Sequence, residues 1–299
     1  MLIAYRKRGT MKKPKSNWKT TLFIIGALTP AMLVSLGLVV YPMINQVIRS
    51  FKDPKSGAFT FDNYIYLFTN KLSSNAIWYT VVVSVLTVLL SIGIAYLLAM
   101  YLRFSNSKIS KTIGNLYLIP RFIPSLVAVY AMKTIIADSG LLNRISLHFN
   151  ENSVLYNYKP GMLYNIKGIL FMNCWFNIPF ATMIIVAALA GISESVVESA
   201  QDVGAGKALI FFKIILPLSY KDVLIAATFV FMSNISSFTT PYLIGPNFPS
   251  MLGVYLRKQF GNSKYEIAAA TSVVIFVLCS ISAIVYLYTN MKEQAWEEN

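Results

Sequence analysis

Long charge-free stretches alternate with short charged ones along this chain. No charged residue lies between Lys19 and Arg49, Lys71 and Arg103, Lys167 and Glu194, Asp222 and Arg257, or Glu266 and Lys292. A sixth block, Gly114 to Met132, is interrupted only by Arg121. These blocks approach or exceed the about 20 apolar residues that a helix needs to cross a bilayer. The pattern predicts an all-α integral membrane protein with six transmembrane helices, over 21–44, 78–102, 114–136, 166–192, 223–244 and 265–290. Pro120 and Pro124 fall inside the third, which is tolerated where neighbouring helices satisfy the freed carbonyls. Between the blocks, "FTFDNYIYLF" is expected to lie along the membrane interface, and 137–165 reads as a polar loop rich in Asn and Tyr. The organisation is a basic tail over 1–19, one transmembrane domain over 20–291 containing a loop at 193–222, and a short tail over 292–299. No internal repeat, low-complexity linker or second soluble domain interrupts it.

Composition strengthens this picture. Hydrophobic residues make up 56% and charged ones 13%, with a mean hydropathy of +0.58; soluble domains carry about 25% charge. The first block is too long for a cleavable signal, and Pro30 and Tyr41-Pro42 stand where small residues would mark cleavage. A net charge of +14 invites a nucleic-acid reading, but the basic residues form no single patch. Arg6, Lys7, Arg8, Lys12, Lys13, Lys15 and Lys19 all precede the first block, a positive-inside signature that places the N-terminus in the cytoplasm. Six crossings return the C-terminus there. Outside the tail the bias is weak, so orientation rests mainly on those seven residues.

Catalytic chemistry lacks its parts. His148 is the sole histidine and belongs to a loop, so histidine metal clusters and Ser/His/Asp triads cannot be assembled. Cys174 and Cys279 fall inside membrane blocks and read as small packing residues. "GAGK" fails the phosphate-loop pattern, because Gln201 stands where the first glycine belongs and Ala208 follows Lys207.

The surrounding stretch, "ESAQDVGAGKALIFFKIILP", reads better as a surface. Val196, Val197, Ala200 and Val203 fall on one helical face, and Glu194, Glu198, Gln201 and Asp202 on the other. Gly204 permits a sharp bend, the run Ala208 to Leu216 is too short to span, and Pro217 is expected to end it. Such a helix–glycine–helix elbow suits docking into a partner or lying on the lipid surface.

The same residues resemble the EAA loop of permease subunits of binding-protein-dependent ATP-binding-cassette (ABC) importers. The pattern is Glu-Ala-Ala, three residues, Gly, nine residues, Ile, one residue, Leu-Pro. Here Glu198-Ser199-Ala200, Gly204, Ile214 and Leu216-Pro217 keep every spacing, with Ser199 for the first alanine, and Phe211 matches a common aromatic position. "TMIIVAALAGISESVVESAQD" and the early Tyr41-Pro42, Ser50-Phe51 and Phe61 to Tyr64 look like the same family. The resemblance implies the type I importer permease fold. It also implies two partner ATPase subunits that hold ATP and magnesium, a second and different permease, and an extracytoplasmic solute-binding protein, with no cofactor in this chain and no nucleic acid. Carried over, Glu198 pairs with an ATPase arginine, Gly204 is the hinge, and Phe211 with Ala205 enters the ATPase cleft.

Polar residues within the membrane blocks mark where a solute could pass. Ser233, Ser236, Ser237 and Thr240 fall at i, i+3, i+4 and i+7, with Asn234 beside them, and Asn173 and Asn177 share a face near Trp175 and Phe180. These residues read either as glue between helices or as a pathway lining. Arg121 departs from the family pattern; it reads first as snorkelling to the cytoplasmic interface, and second as a gating or anion contact. "SSFTTPYLIGPN" and "MLGVYLRKQFG" look more like the polyamine, ferric-ion and phosphonate permeases than the sugar group. No acid lies in the membrane blocks to hold a polyamine, and the outer loops carry more basic than acidic residues, which leans toward an anionic or chelated solute. A sugar, oligosaccharide or glycerol-phosphate importer is the alternative. An ion-coupled secondary transporter is more remote, since it would need an intramembrane acid, and a membrane-embedded enzyme is remoter still.

Overall fold

The computed structural model describes residues 18–297, with side chains described from Leu22 to Tyr288 and at Trp18. The basic tail that carries the orientation signal therefore lies outside the described residues, apart from its last two positions. The chain divides into two compact units, one ending at Ile48 and one beginning at Arg49.

The described residues of the first unit are helical: α1 (Trp18–Ser35), a π-helical turn over Leu36–Val40, and α2, which runs over Tyr41–Ser50. The widened turn sits just ahead of Pro42. Proline has no N–H to donate and its ring crowds the carbonyl four residues back, and a π turn relieves both.

The second unit opens with a short turn and α3 (Asp62–Thr69). Asp53 closes that turn, its Oδ1 accepting from the backbone N–H of Ser56 at 2.7 Å and of Lys55 at 3.0 Å. The Ser56 N–H above all holds the Asp53 carboxyl below its usual range. The aromatic run is not a flat interfacial strip: the Phe51 ring stacks on Phe59 and meets Phe61 and Tyr64, each within 5.4 Å. Buried Asn63 donates to the carbonyls of Ser50 and Lys52, both at 2.9 Å, and so ties α3 to the preceding turn.

Helix α4 (Lys71–Phe104) is followed by α5 (Lys108–Leu116), the single turn α6 (Ile119–Phe122), α7 (Ser125–Ile136) and α8 (Leu141–Ser146). The expected third helix over 114–136 is thus broken. Pro124 forces Ile123 into extended backbone (ψ 126°), which separates α6 from α7. In the polar loop, Asn143 of α8 donates to Asn157 Oδ1 and the Tyr158 carbonyl, each at 3.0 Å, which gives the loop a fixed course.

Next come α9 (Ile166–Ala190), α10 (Glu194–Asp202), α11 (Lys207–Ile210), a π turn over Phe211–Ile215, and α12 (Leu216–Ile235). The chain ends with α13 (Thr239–Ile244), α14 (Leu252–Gly261) and α15 (Tyr265–Glu297). Two sequence expectations are corrected here. Pro217 does not stop a helix, because the π turn ahead of it absorbs the missing N–H, and a helical rod runs from Lys207 to Ile235. The expected fifth helix over 223–244 breaks at Ser236–Phe238, where the Pro241 ring would otherwise crowd the Ser237 carbonyl.

Among the described residues, six helices or helical runs are long and apolar enough to cross a membrane: Leu22–Ser50, Lys71–Phe104, Ser125–Ser146, Ile166–Ala190, Lys207–Ile235 and Tyr265–Tyr288. In the second unit α4, α9 and α12 pack mutually, and α15 packs on α12. The α4 seam consists of small residues at helical spacing, all fully buried: Ser73, Ala76, Thr80, Ser84, Thr87, Ser91, Ala95 and Ala99. Lipid competes for apolar surface as well as another helix does, so close backbone approach through small side chains is what drives such packing. Thr80 adds a specific tie, its Oγ1 accepting from the Leu252 backbone N–H at 2.8 Å at the start of α14.

Candidate functional site

The elbow occupies one end of the bundle. Helix α10 closes with two hydrogen bonds, from Gly204 N–H to the Gln201 carbonyl at 2.8 Å and from Ala205 N–H to the Ala200 carbonyl at 3.0 Å. This is a Schellman closure, and it requires the residue after the cap to be left-handed; Gly204 has φ +83°. The expected bend is therefore present at Gly204, and Gly206 begins α11.

The faces of α10 divide differently from the expectation. Val197 and Ala200 pack inward with Ala205 on a cluster that includes Tyr96, Ile185, Leu189 and Ile210, whereas Val196 and Val203 remain exposed, Val203 by 84%. Only two of the four apolar positions are needed to seat so short a helix. Glu198 is exposed and Ser199 donates to the Ser195 carbonyl at 2.7 Å, a bond internal to the helix. Ile214 and Leu216 pack on the same cluster, and Pro217 is exposed.

Phe211 and Ala205, expected to enter a partner's cleft, are turned inward. The Phe211 ring stands edge-on to Tyr96 with centroids 5.6 Å apart, and the outward aromatic is its neighbour Phe212, 62% exposed. The Tyr96 hydroxyl in turn shares a 2.7 Å hydrogen bond with Ser219 Oγ, which donates to the Ile215 carbonyl inside the π turn. Tyr96 thus fixes the root of the elbow to α4.

Arg103, at the end of α4, was not singled out from the sequence. Its guanidinium donates to the carbonyls of Leu189 and Ile192 at 3.3 Å each and to Glu194 Oε1 at 2.9 Å. It caps the last carbonyls of α9 and grips the first residue of α10 at the same time. The available signal was positional: Arg103 is the charge that closes the second apolar block.

The polar residues of the spans are brought together only in part. Asn177 Nδ2 donates to the Asn173 carbonyl at 2.7 Å, and the single Ser233 hydroxyl proton is shared between the Val230 carbonyl at 2.9 Å and Asn177 Oδ1 at 3.3 Å. Asn234, 2% exposed, donates to the Val230 carbonyl, and Asn173 reaches Thr87 Oγ1 at 3.5 Å. These asparagines hold α9, α12 and α4 in register. The four-residue hydroxyl stripe does not form, because the break after Ile235 places Ser236 and Ser237 in a turn and buries Thr240 in α13. Ser233 and Ser236 remain exposed.

Arg121 lies over the Phe180 ring, its guanidinium carbon 4.8 Å from the ring centroid. Phe180 is ten residues from the last residue of α9 at the elbow end, a rise of about 15 Å. The guanidinium therefore lies well along α9 from its elbow end, where snorkelling would have carried it. Arg121 belongs to the single turn α6, which packs on α9. At the end of the bundle opposite the elbow, a cavity of about 500 Å³ is lined by Tyr242, Asn247, Ser250, Arg257, Lys258 and Asn262, among other residues.

The described residues form a multi-pass helical membrane bundle with a structured helical elbow at one end. Residues 91–292 match the family described as binding-protein-dependent transport system inner membrane component, and the chain belongs to that family. It is an ABC importer permease subunit of the inner membrane, a transport component rather than an enzyme. It is 23% identical over 231 residues to the spermidine/putrescine transport system permease protein PotB of Escherichia coli (strain K12), covering 76% of this chain and 82% of the relative. It is 28% identical over 240 residues to the maltose/maltodextrin transport system permease protein MalF of Klebsiella aerogenes, covering 72% of this chain and 45% of that one. In fold it superposes with a TM-score of 0.75 on a chain of a bacterial ABC transporter involved in the import of the acidic polysaccharide alginate. That chain is 20% identical, with 93% of this chain and 96% of the other covered.

Proposed function

We propose that this subunit forms half of the translocation pathway for a small polar solute and couples it to ATP hydrolysis in a separate subunit through the elbow Glu194–Asp202. The observation that carries this is the Gly204 closure: the left-handed glycine and its two backbone bonds make the elbow a rigid projection with Glu198 and Val203 outward. A rigid projection transmits force between two states of a partner better than a loose loop does. Glu198 pairs with an ATPase arginine, Phe211 and Ala205 form the backing against which the elbow is pressed, and the outward Phe212 takes the place assigned to Phe211 in the cleft. The partners are two ATPase subunits carrying ATP and magnesium, a second and different permease, and an extracytoplasmic binding protein. The elbow end faces the cytoplasm, with both termini. The names of the relatives, a polyamine and a sugar system, leave the solute class to be argued from this chain's own residues.

The test is co-purification and coupled hydrolysis. A tagged chain is expected to retain a separate ATPase, and Glu198→Lys or Gly204→Pro to abolish transport while the protein still inserts. Full ATPase coupling in both variants would overturn the assignment of the elbow.

A further inference from the structure

Arg121 is a full positive charge at a depth where charge is costly, and something must compensate for it. Within its own chain it has the Phe180 ring and, among the described residues, no carboxylate within ion-pair distance. Facing lipid at that depth is the most costly arrangement available to it, yet its side chain is exposed in the single subunit. Phe180 lies one helical turn from Asn177, and its ring meets Phe229 edge-on at 6.2 Å. Phe229 lies one turn before Ser233, which donates to Asn177. Arg121 of α6 thus reaches the Phe180–Phe229 ring pair between α9 and α12, and the Asn177–Ser233 contact lies about one helical turn further along both helices.

A guanidinium keeps its charge at any accessible pH and presents a planar fork of donors that fits carboxylate and phosphate. An aromatic ring on one of its faces restricts it without using those donors. The same charge repels a polyamine.

We propose that Arg121, held by the Phe180 ring, is an oxyanion-holding station on the solute pathway, and that the imported solute carries a carboxylate or phosphate group. This rests on the permease function above. An independent observation agrees with it: the cavity at the opposite end of the bundle carries two cations, Arg257 and Lys258, and no carboxylate. An anion entering there meets positive charge at the mouth and again at mid-depth.

The experiment uses the intact importer, purified with its ATPase and second permease. Its melting temperature is titrated with glucuronate and with glycerol 3-phosphate, against glucose and spermidine at matched ionic strength. At least one anion is expected to stabilise the wild type. Arg121→Gln should move the titration midpoint roughly tenfold or more upward, and Arg121→Lys should restore part of the loss. Reconstituted in vesicles, the same variant should lose ATP-driven uptake of that anion. Absence of stabilisation by either anion, or equal stabilisation of the wild type and Arg121→Gln, overturns the station. So does uptake of spermidine that Arg121→Gln leaves undiminished. Separation of the two permeases on Arg121→Gln also overturns it, in favour of an ion pair between subunits. Failure of the permease function itself is distinct: no ATPase co-purifies, and no solute is taken up on ATP addition.

Discussion

At the residue scale, the most informative side chains are polar ones holding backbone in place. Asn63 is the clearest. It is 4% exposed and donates both amide protons to carbonyls that precede its own helix. Removing it leaves the Ser50 and Lys52 carbonyls without those donors, and a buried unsatisfied group costs about 1–3 kcal/mol. Asn63→Ala is therefore expected to lower stability by about that amount, measured by thermal unfolding in detergent, with Asn63→Asp no better because a carboxylate cannot donate. Stability unchanged in Asn63→Ala would mean that the turn at 50–52 is held by the Phe51, Phe59 and Phe61 cluster instead. Gly204 is the counterpart in which backbone geometry itself is the requirement. At φ +83° a side chain costs about 1–2 kcal/mol, so Gly204→Ala should weaken the elbow where Gly206→Ala, at φ −68° with open space about its Cα, should not.

At the element scale, Arg103 decides how firmly α10 is attached to the bundle. Its ion pair with Glu194 is a surface contact, since the Glu194 side chain is 70% exposed, and such pairs contribute at most about 1 kcal/mol. Its bonds to the Leu189 and Ile192 carbonyls sit at a partly buried helix end, where loss of a charged donor costs about 1.5–3 kcal/mol. The carbonyl bonds therefore dominate. Glu194→Gln should leave hydrogen exchange over 192–203 nearly as it is, and Arg103→Ala should accelerate it and reduce ATPase coupling in the assembled importer. Equal effects of the two variants would contradict this ordering. The same scale shows what could be read along the chain. The charge-free blocks mark all six spans, and the elbow spacing marks Gly204, because both are local properties. Pro217, Pro124 and Pro241 were harder, because a proline can be absorbed by a π turn, can break a helix, or can kink a span. Which one happens depends on the neighbours: Gly253, for instance, lets α14 approach the Ser237 carbonyl at the break, so closely that a Cβ there would lie 2.5 Å from it. The hydroxyl stripe over Ser233–Thr240 failed for that reason, and Phe211 turned inward because Tyr96, more than a hundred residues earlier, supplies a ring for it.

For the whole molecule, the question is which end of the bundle faces the cytoplasm, and one crossing is enough to test it. Val154 in the loop between α8 and α9 is 98% exposed, and Val203 beside the elbow glycine is 84% exposed. Only α9 lies between them in sequence as a full span, so they must emerge on opposite sides of the membrane. The positive-inside rule, applied to the basic tail ahead of the first span, predicts that Val203 lies on the cytoplasmic side after an even number of crossings. Single cysteines at these two positions test this once Cys174 and Cys279, both half-buried free thiols in the spans, are replaced by alanine. A membrane-impermeant maleimide should label Val154→Cys in intact spheroplasts and Val203→Cys only in inside-out vesicles. Labelling of both from one side would remove α9 as a crossing, and with it the six-span topology. Labelling in the reverse sense would keep the topology but invert the molecule, placing Glu198 out of reach of any cytoplasmic ATPase. Sidedness is therefore the condition on which the elbow's coupling function depends.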